Sequence, residues 1–331
     1  MKHALQIDVN TWRDFTKVMK IASGEDWLYR GQEDADWGLC SSLDRELDSE
    51  YGHDYFVKSS GVLKSCGHKF PMPTAERSAI QSFRALARGT DIDSLDDVNT
   101  LAAMQHYGAK TRLLDFSTSL FVALFFAYEK KITHKERAIY AIRYRDVLDG
   151  SGLVESFLRK KEKELEKANC DPEDVSFWRD RIRRAMGFAA VELREFVFDK
   201  ANSNIVKRSS TPGIIPLYMQ GTNARMAAQA GAFLMPTTFK PFSENLVSCL
   251  DLGTEDEILH PSKRVTNMSH DRCESLPPDV SLIKLVFSPV LENDAWNILD
   301  QANVTARTIY PDLVGIAKSI RYSDKILGFD M

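Results

Sequence analysis

The chain is poor in the residues that build disulfide frameworks and zinc ribbons. Its 331 residues hold five cysteines, Cys40, Cys66, Cys170, Cys249 and Cys273, an odd set with no CxxC pair. Reduced thiols are the expectation. No paired-ligand spacing joins His53, Cys66 and His68, so no metal site is expected. There is no repeat of fixed period and no low-complexity tract beyond one charged helical stretch, which excludes solenoids and propellers. The longest apolar run, Leu120 to Tyr128 (LFVALFFAY), is about half of the roughly 20 residues that cross a bilayer and ends in charge, so it reads as a buried helix and no membrane association is expected. Neither sign of charge dominates: a formal net charge of -4 excludes a binder that coats nucleic acid by bulk charge and leaves room only for a local basic groove. The start, MKHALQIDVNTWRDF, has no apolar run between its basic residues and its first acid, so no secretory signal is expected and a cytoplasmic location is.

What the chain does have is 44% hydrophobic and 10% aromatic residues, enough for a substantial core. Residues 8–22 set Trp12, Phe15, Val18, Met19 and Ala22 at helical spacing behind an expected Asn10 cap. Trp27 to Tyr29 reads as a strand ended by Gly31. Residues 74–88 and 96–106 read as core-facing helices, the second closed by Gly108. Asp115 to Ser119 is a short strand or turn that hands over to the buried helix near Leu120. Residues 137–144 and 281–288 alternate as strands, 291–303 as a helix, and NVTARTIYPDLVGIAKSIR as a short strand, a Pro311 turn and a closing helix. A Lys-, Arg- and Glu-rich helical insert is expected near 150–205, broken at Asp171-Pro172. The expected architecture is one α+β domain over residues 1–331, built on a twisted, mainly antiparallel sheet with flanking helices and that insert.

Three clusters are unusual for a plain core. In Tyr29-Arg30-Gly31-Gln32 a strand ends in an Arg suited to a pyrophosphate or carboxylate, followed by a glycine that lets a ligand approach the backbone. The stretch Gln105 to Ser119 (QHYGAKTRLLDFSTS) packs an imidazole, a phenol, a guanidinium, a carboxylate and several hydroxyls beside a buried helix. Its bland reading is a satisfied His106 and an Arg112–Asp115 ion pair holding a turn. In Arg225 to Pro236 (RMAAQAGAFLMP), small residues permit close backbone approach, and Gln229 offers both a donor and an acceptor to a hydroxyl-rich ligand. A fourth group, Trp178 to Arg184 with Lys207-Arg208, reads as a nucleic-acid patch or, given its interleaved acids, as a solvated helix face.

Together the clusters resemble the FRG family, whose aromatic-Arg-Gly motif stands here as Tyr29-Arg30-Gly31. The resemblance runs from Trp27 to Ile320 through QHYGAKTRLLDFSTSLFVALFFA, RMAAQAGAFLMP and TIYPDLVGIAKSI. The order of parts also resembles Arg-Ser-Glu type ADP-ribosyltransferases: Arg30 stands for the early Arg and Ser117-Thr118-Ser119 for the STS element. Gln229-Ala230-Gly231 stands where the late Glu-x-Glu would be, so the carboxylates are missing.

The second resemblance implies an ADP-ribosyltransferase-like sheet and NAD as co-substrate, without a metal. It implies transfer of ADP-ribose to a macromolecule, RNA or DNA favoured over protein, by a toxin or phage-defence effector with a neutralising antitoxin protein as a further partner. The implied catalytic residues are Arg30, His106, Asp115 and Gln229, with His106 or Asp115 replacing the missing base. The implied NAD-binding residues are Arg30, Gly31, Gln105, Tyr107, Ser117, Thr118, Ser119 and Arg225, with Tyr107 or Phe116 stacking on a ring. Two other classes stand beside it: a non-catalytic nucleotide- or protein-binding module on the same fold, and a hydrolase using His106 with Asp115, which lacks a nucleophile elbow.

Overall fold

The computed structural model describes residues 2–22, 27–51, 62–65, 68–90, 95, 97–130, 134–152, 212–217, 224–238, 240–266 and 276–320, with isolated helical positions at 155, 159, 163, 164, 167, 173 and 177. The expected insert at 150–205 lies almost wholly outside these residues, as do residues 178–184 and 207–208.

Strand β1 (His3–Val9) leads into helix α1 (Trp12–Ile21), which Thr11 opens with a capping box: its hydroxyl accepts from the Asp14 amide while the Asp14 carboxylate accepts from the Thr11 amide. The expected Asn10 cap is thus one residue early. Its amide reaches the Thr266 carbonyl instead. Strand β2 (Trp27–Gln32) runs through Gly31 rather than ending there, because its pairing with the later strand at 137–143 continues to Gln32 opposite Ala138. Then come α2 (Ser42–Tyr51), a separate hairpin of β3 (Val62–Ser65) and β4 (His68–Pro71), α3 (Met72–Leu86) and α4 (Asp97–His106). Gly108, at φ +88°, follows α4 in the left-handed region expected of a helix stop.

Strand β5 (Leu114–Ser117) hands over to α5 (Leu120–Tyr128), capped by the Ser119 hydroxyl 3.4 Å from the Val122 amide. Next are β6 (Arg137–Arg143), α6 (Tyr144–Gly150), β7 (Ile214–Leu217), α7 (Ala224–Ala228) and β8 (Gly231–Pro236). The second half of the 225–236 segment is a strand because Leu114 to Ser117 pairs with it residue by residue. The chain closes with α8 (Phe242–Leu250), α9 (Asp256–Leu259), β9 (Lys263–Val265), β10 (Val280–Phe287), α10 (Glu292–Gln301), α11 (Ala306–Ile309) and α12 (Leu313–Ser319). The expected short strand before Pro311 is the helical turn α11, which Thr305 caps through a capping box with Thr308.

Eight strands form one mixed, mostly antiparallel open sheet in the order β7-β8-β5-β2-β6-β10-β1-β9; only the β1–β10 and β1–β9 pairs are parallel. The central strands β6 and β10 are buried on both faces and so lack strict alternation. One face packs Phe15 and Val18 of α1, Leu124 and Phe125 of α5, and Leu299 of α10. The other packs Ile80 of α3, Leu101 of α4, Val147 of α6 and Leu246 of α8. Pro216, which cannot donate to a ladder, sits on the edge strand β7.

One join in this sheet is weak. Strands β2 and β5 share a single pair, Tyr29 opposite Ser117. Beyond it no further pair joins them, and a side chain takes the bridging place: Arg30 Nη1 donates to the Asp115 carbonyl at 2.8 Å.

Candidate functional site

A cleft of about 840 Å³ opens where β2 and β5 part, lined from both faces of the sheet. Its volume lies within the range of small-molecule sites, roughly 300–1,000 Å³. Because side chains alternate along a strand, Arg30 and Gln32 face the cleft while Tyr29 and Gly31 turn toward α5. A Cβ at Gly31 would lie 1.8 Å from the Ala123 carbonyl oxygen and 2.7 Å from the Ala127 amide. The close backbone approach expected for a ligand at Gly31 is therefore made by a helix. Gly31 still contributes to the lining.

Arg30 is held at one end by the Asp115 carbonyl, with the Asp115 carboxylate 3.9 Å from Nη1. Its Nε is buried and has no hydrogen-bond partner among the described residues. Burial lowers the guanidinium pKa; Asp115 opposes this, and the nearby Arg45 adds to it. The site accordingly favours an additional anion. Asp115 is exposed to the cleft and is oriented by Gln105, whose Nε2 donates to Oδ2 at 2.9 Å while the Thr111 hydroxyl donates to its Oε1. Gln105 thus stands one bond behind the cleft.

His106 forms part of the opposite wall, and neither ring nitrogen has a partner among the described residues. Burial first and the Arg225 charge second lower its pKa, with Asp312 opposing, so the neutral imidazole is favoured. Tyr107 packs edge-on against it at 4.9 Å but is 70% exposed and lies outside the lining. Of the two rings expected to stack on a ligand, Phe116 alone reaches the cleft.

Arg225 donates to Asp312 at 2.7 Å and lies over the Tyr310 ring at 5.0 Å, with Lys318 4.2 Å from the same ring. The Tyr310 hydroxyl donates to Glu129 at 2.7 Å, and burial together with this carboxylate raises its pKa. This wall is pre-set before any ligand arrives. Gln229 also faces the cleft, its amide nitrogen 3.5 Å from the Ile309 carbonyl.

The hydroxyl triplet divides. Ser117 lines the cleft and donates to the Gln229 carbonyl at 2.7 Å. Thr118 reaches the Ala230 carbonyl and Ser119 caps α5; neither lines the cleft. Arg112 and Asp115 form no ion pair. Arg112 instead donates to Glu76 at 2.9 Å and to the Pro236 carbonyl at 3.1 Å, with both side chains of the ion pair buried.

The structure therefore brings Arg30, Gly31, His106, Asp115, Ser117, Arg225 and Gln229 to one cleft. It adds residues that the sequence had given no role: Gln32 at the end of β2, Glu33, Asp36 and Trp37 after it, Arg45, and Glu129 with Tyr310. Only Gln32 was within reach of sequence reasoning, two positions from Arg30 on the same strand face. Among the described residues no group of three or more His, Cys, Asp or Glu side chains is placed to hold a metal ion, and no helix is long and apolar enough to cross a membrane.

No curated protein and no solved structure matches the chain, and the comparisons lend the ADP-ribosyltransferase resemblance no support. A family match covers β2, β5, α5 and the 105–119 stretch, leaving the 225–236 and 308–320 motifs outside it. Residues 25–136 are an FRG domain.

Proposed function

We propose that the cleft binds NAD and that the protein transfers ADP-ribose from it to a macromolecular acceptor, with RNA or DNA favoured. The observation that carries this reading is Arg30, whose buried Nε has no partner among the described residues, in the lining of a cleft large enough for a dinucleotide that opens at a parting of the sheet. A guanidinium with unused donors in a partly dry site favours a phosphate.

The transfer breaks the bond between ribose C1′ and the nicotinamide nitrogen, the electron pair leaving with nicotinamide. An acceptor lone pair bonds to C1′ and the acceptor proton goes to a base. Both candidate bases, the exposed Asp115 carboxylate and the His106 imidazole, line the cleft, and either has a lone pair for that proton. Gln229 cannot, and serves only to hydrogen-bond a hydroxyl. In this reading Arg225 adds positive charge on the far wall, and cell-level roles as a toxin or phage-defence effector with an antitoxin follow from analogy alone.

A second reading, a non-catalytic nucleotide- or protein-binding module, is favoured by one feature: the Ser117 hydroxyl is spent on a backbone carbonyl and Gly231 stands where a late carboxylate would be. Incubation with labelled NAD and total RNA, DNA or protein separates the two. Transfer predicts label on one acceptor class with equimolar nicotinamide release, both lost in Arg30→Ala and one of Asp115→Asn or His106→Gln. Binding of NAD without release supports the module. No binding of NAD at all ends both nucleotide readings.

A further inference from the structure

The end of the cleft at residues 32–38 carries an acceptor with nothing to accept. Gln32 is 6% exposed and lines the cleft. Its Nε2 donates to the Gly38 carbonyl at 3.1 Å, which fixes which way the amide points; the reverse orientation would set two carbonyl oxygens against each other. Oε1 is then buried with no partner among the described residues. Leaving such an acceptor unpaired costs about 1–3 kcal/mol, so a ligand that brings a donor to it offsets that cost.

The surrounding loop is built rather than slack. The Ala35 amide donates to the Glu136 carbonyl at 3.0 Å, the Trp37 amide to the Asp34 carbonyl at 3.2 Å, and the Tyr140 hydroxyl to the Trp37 carbonyl at 3.1 Å. The buried Arg137 donates to the Glu33 carbonyl at 2.8 Å, and the Glu33 carboxylate is met by Lys130 at 3.2 Å. This frame holds the Trp37 ring at the cleft with half its surface exposed, next to the open Asp36 carboxylate. An exposed indole beside acceptors and acids suits a flat ring carrying N–H donors. Arg30 lies two residues back on the same strand face, roughly 7 Å along the strand, with its own unused donor.

We infer that Gln32 and Trp37 form a ring-recognition subsite that selects a heteroaromatic ring bearing an exocyclic amino or carboxamide N–H₂, while Arg30 holds the phosphate of the same ligand. This rests on the nucleotide-binding reading of the cleft. The chemistry is shared by the adenine amine and the nicotinamide carboxamide, and neither group is exchanged in binding.

Calorimetry on the full chain with four mononucleotides tests it: AMP against IMP, which replaces the amine with a carbonyl, and nicotinamide mononucleotide against nicotinic acid mononucleotide, which replaces the amide with a carboxylate. In one pair the amino-bearing member is expected to bind about tenfold tighter or more, and the pair that discriminates identifies the ring. Gln32→Met should erase the preference, and Trp37→Ala should weaken both members of that pair. Arg30→Ala should weaken all four. Nucleotide binding with no preference in either pair, or a preference that persists in Gln32→Met, overturns the subsite and leaves the cleft as a nucleotide site. Failure of all four, and of NAD, to bind overturns the subsite and the nucleotide reading together. The selectivity of the unaltered protein is itself decisive, so the inference does not depend on the Gln32 variant folding.

Discussion

Arg112, just before β5, and Arg30, on β2, show how two guanidiniums come to different ends. Arg112 is 3% exposed and its charge is met by Glu76, which is as deeply buried. Burial raises the Glu76 pKa, and the charge and hydrogen bond of Arg112 oppose that rise. Taking one member of such a pair away strands the other in the core. Arg112→Met is therefore expected to cost about 3–5 kcal/mol, seen as a lower urea midpoint at unchanged slope. Replacing both members, Glu76→Met with Arg112→Leu, should recover part of the loss, because an apolar pair leaves no charge behind. If the double variant is as unstable as the single one, the bond to the Pro236 carbonyl, not the ion pair, holds this site. Arg30 has no such buried carboxylate, and its strain is electrostatic: a partly desolvated cation beside an exposed acid, with Nε unmatched. A core arginine is completed by the fold and a cleft arginine by a ligand.

Between elements, the contact that shapes the cleft is α5 against β2. Helix α5 is almost entirely apolar, so it has no face to offer water and settles into the sheet on one side and α10 on the other. It reaches β2 only because Gly31 has no side chain there. Gly31→Ala must push backbone atoms apart, and an expected loss of about 1–3 kcal/mol or more should appear in thermal unfolding together with weaker ligand binding, since Arg30 rides on the displaced strand. Gly38→Ala is the control: a Cβ there meets nothing within 4 Å, so stability should change little. Equal losses at the two positions would refute the packing argument. The glycine of the aromatic-Arg-Gly motif thus has a structural reason independent of any ligand.

At the scale of the molecule, the FRG domain at residues 25–136 holds β2 and β5 of the sheet, which share a single pair. Their long ladders run to β6 and β8, outside the matched segment. A fragment limited to residues 25–136 would expose those edges and lose the partners of its strands. It is expected to show no cooperative unfolding transition and to bind no nucleotide, whereas the full chain unfolds cooperatively, as circular dichroism and calorimetry would show. A fragment that melts sharply would mean that the matched segment supplies a core of its own. The cleft follows the same logic: its walls come from residues 29–45, 106–130, 225–233 and Tyr310, so it exists only when both halves of the sheet are joined.

The sequence alone determined what depends on local pattern. Helix α1 was legible because burial on a helix repeats at a fixed spacing, α5, β6 and β10 because short runs rich in apolar residues are buried from both sides, and Gly108 marked a helix stop because its backbone needs φ above zero. Arg30, the 105–119 stretch and the 225–231 segment stood out as polar groups dense beside apolar runs, and members of all three do meet at the cleft. What only the tertiary structure decided is which atoms are left over. Arg112 differs from Arg30 through Glu76, distant in sequence; Ser117 is spent on the Gln229 carbonyl; Gln32 Oε1 has no donor among the described residues, because the loop returning to Gly38 takes only its nitrogen. Hydrogen-bond satisfaction is settled by partners brought together across the whole chain, and no local spacing encodes it.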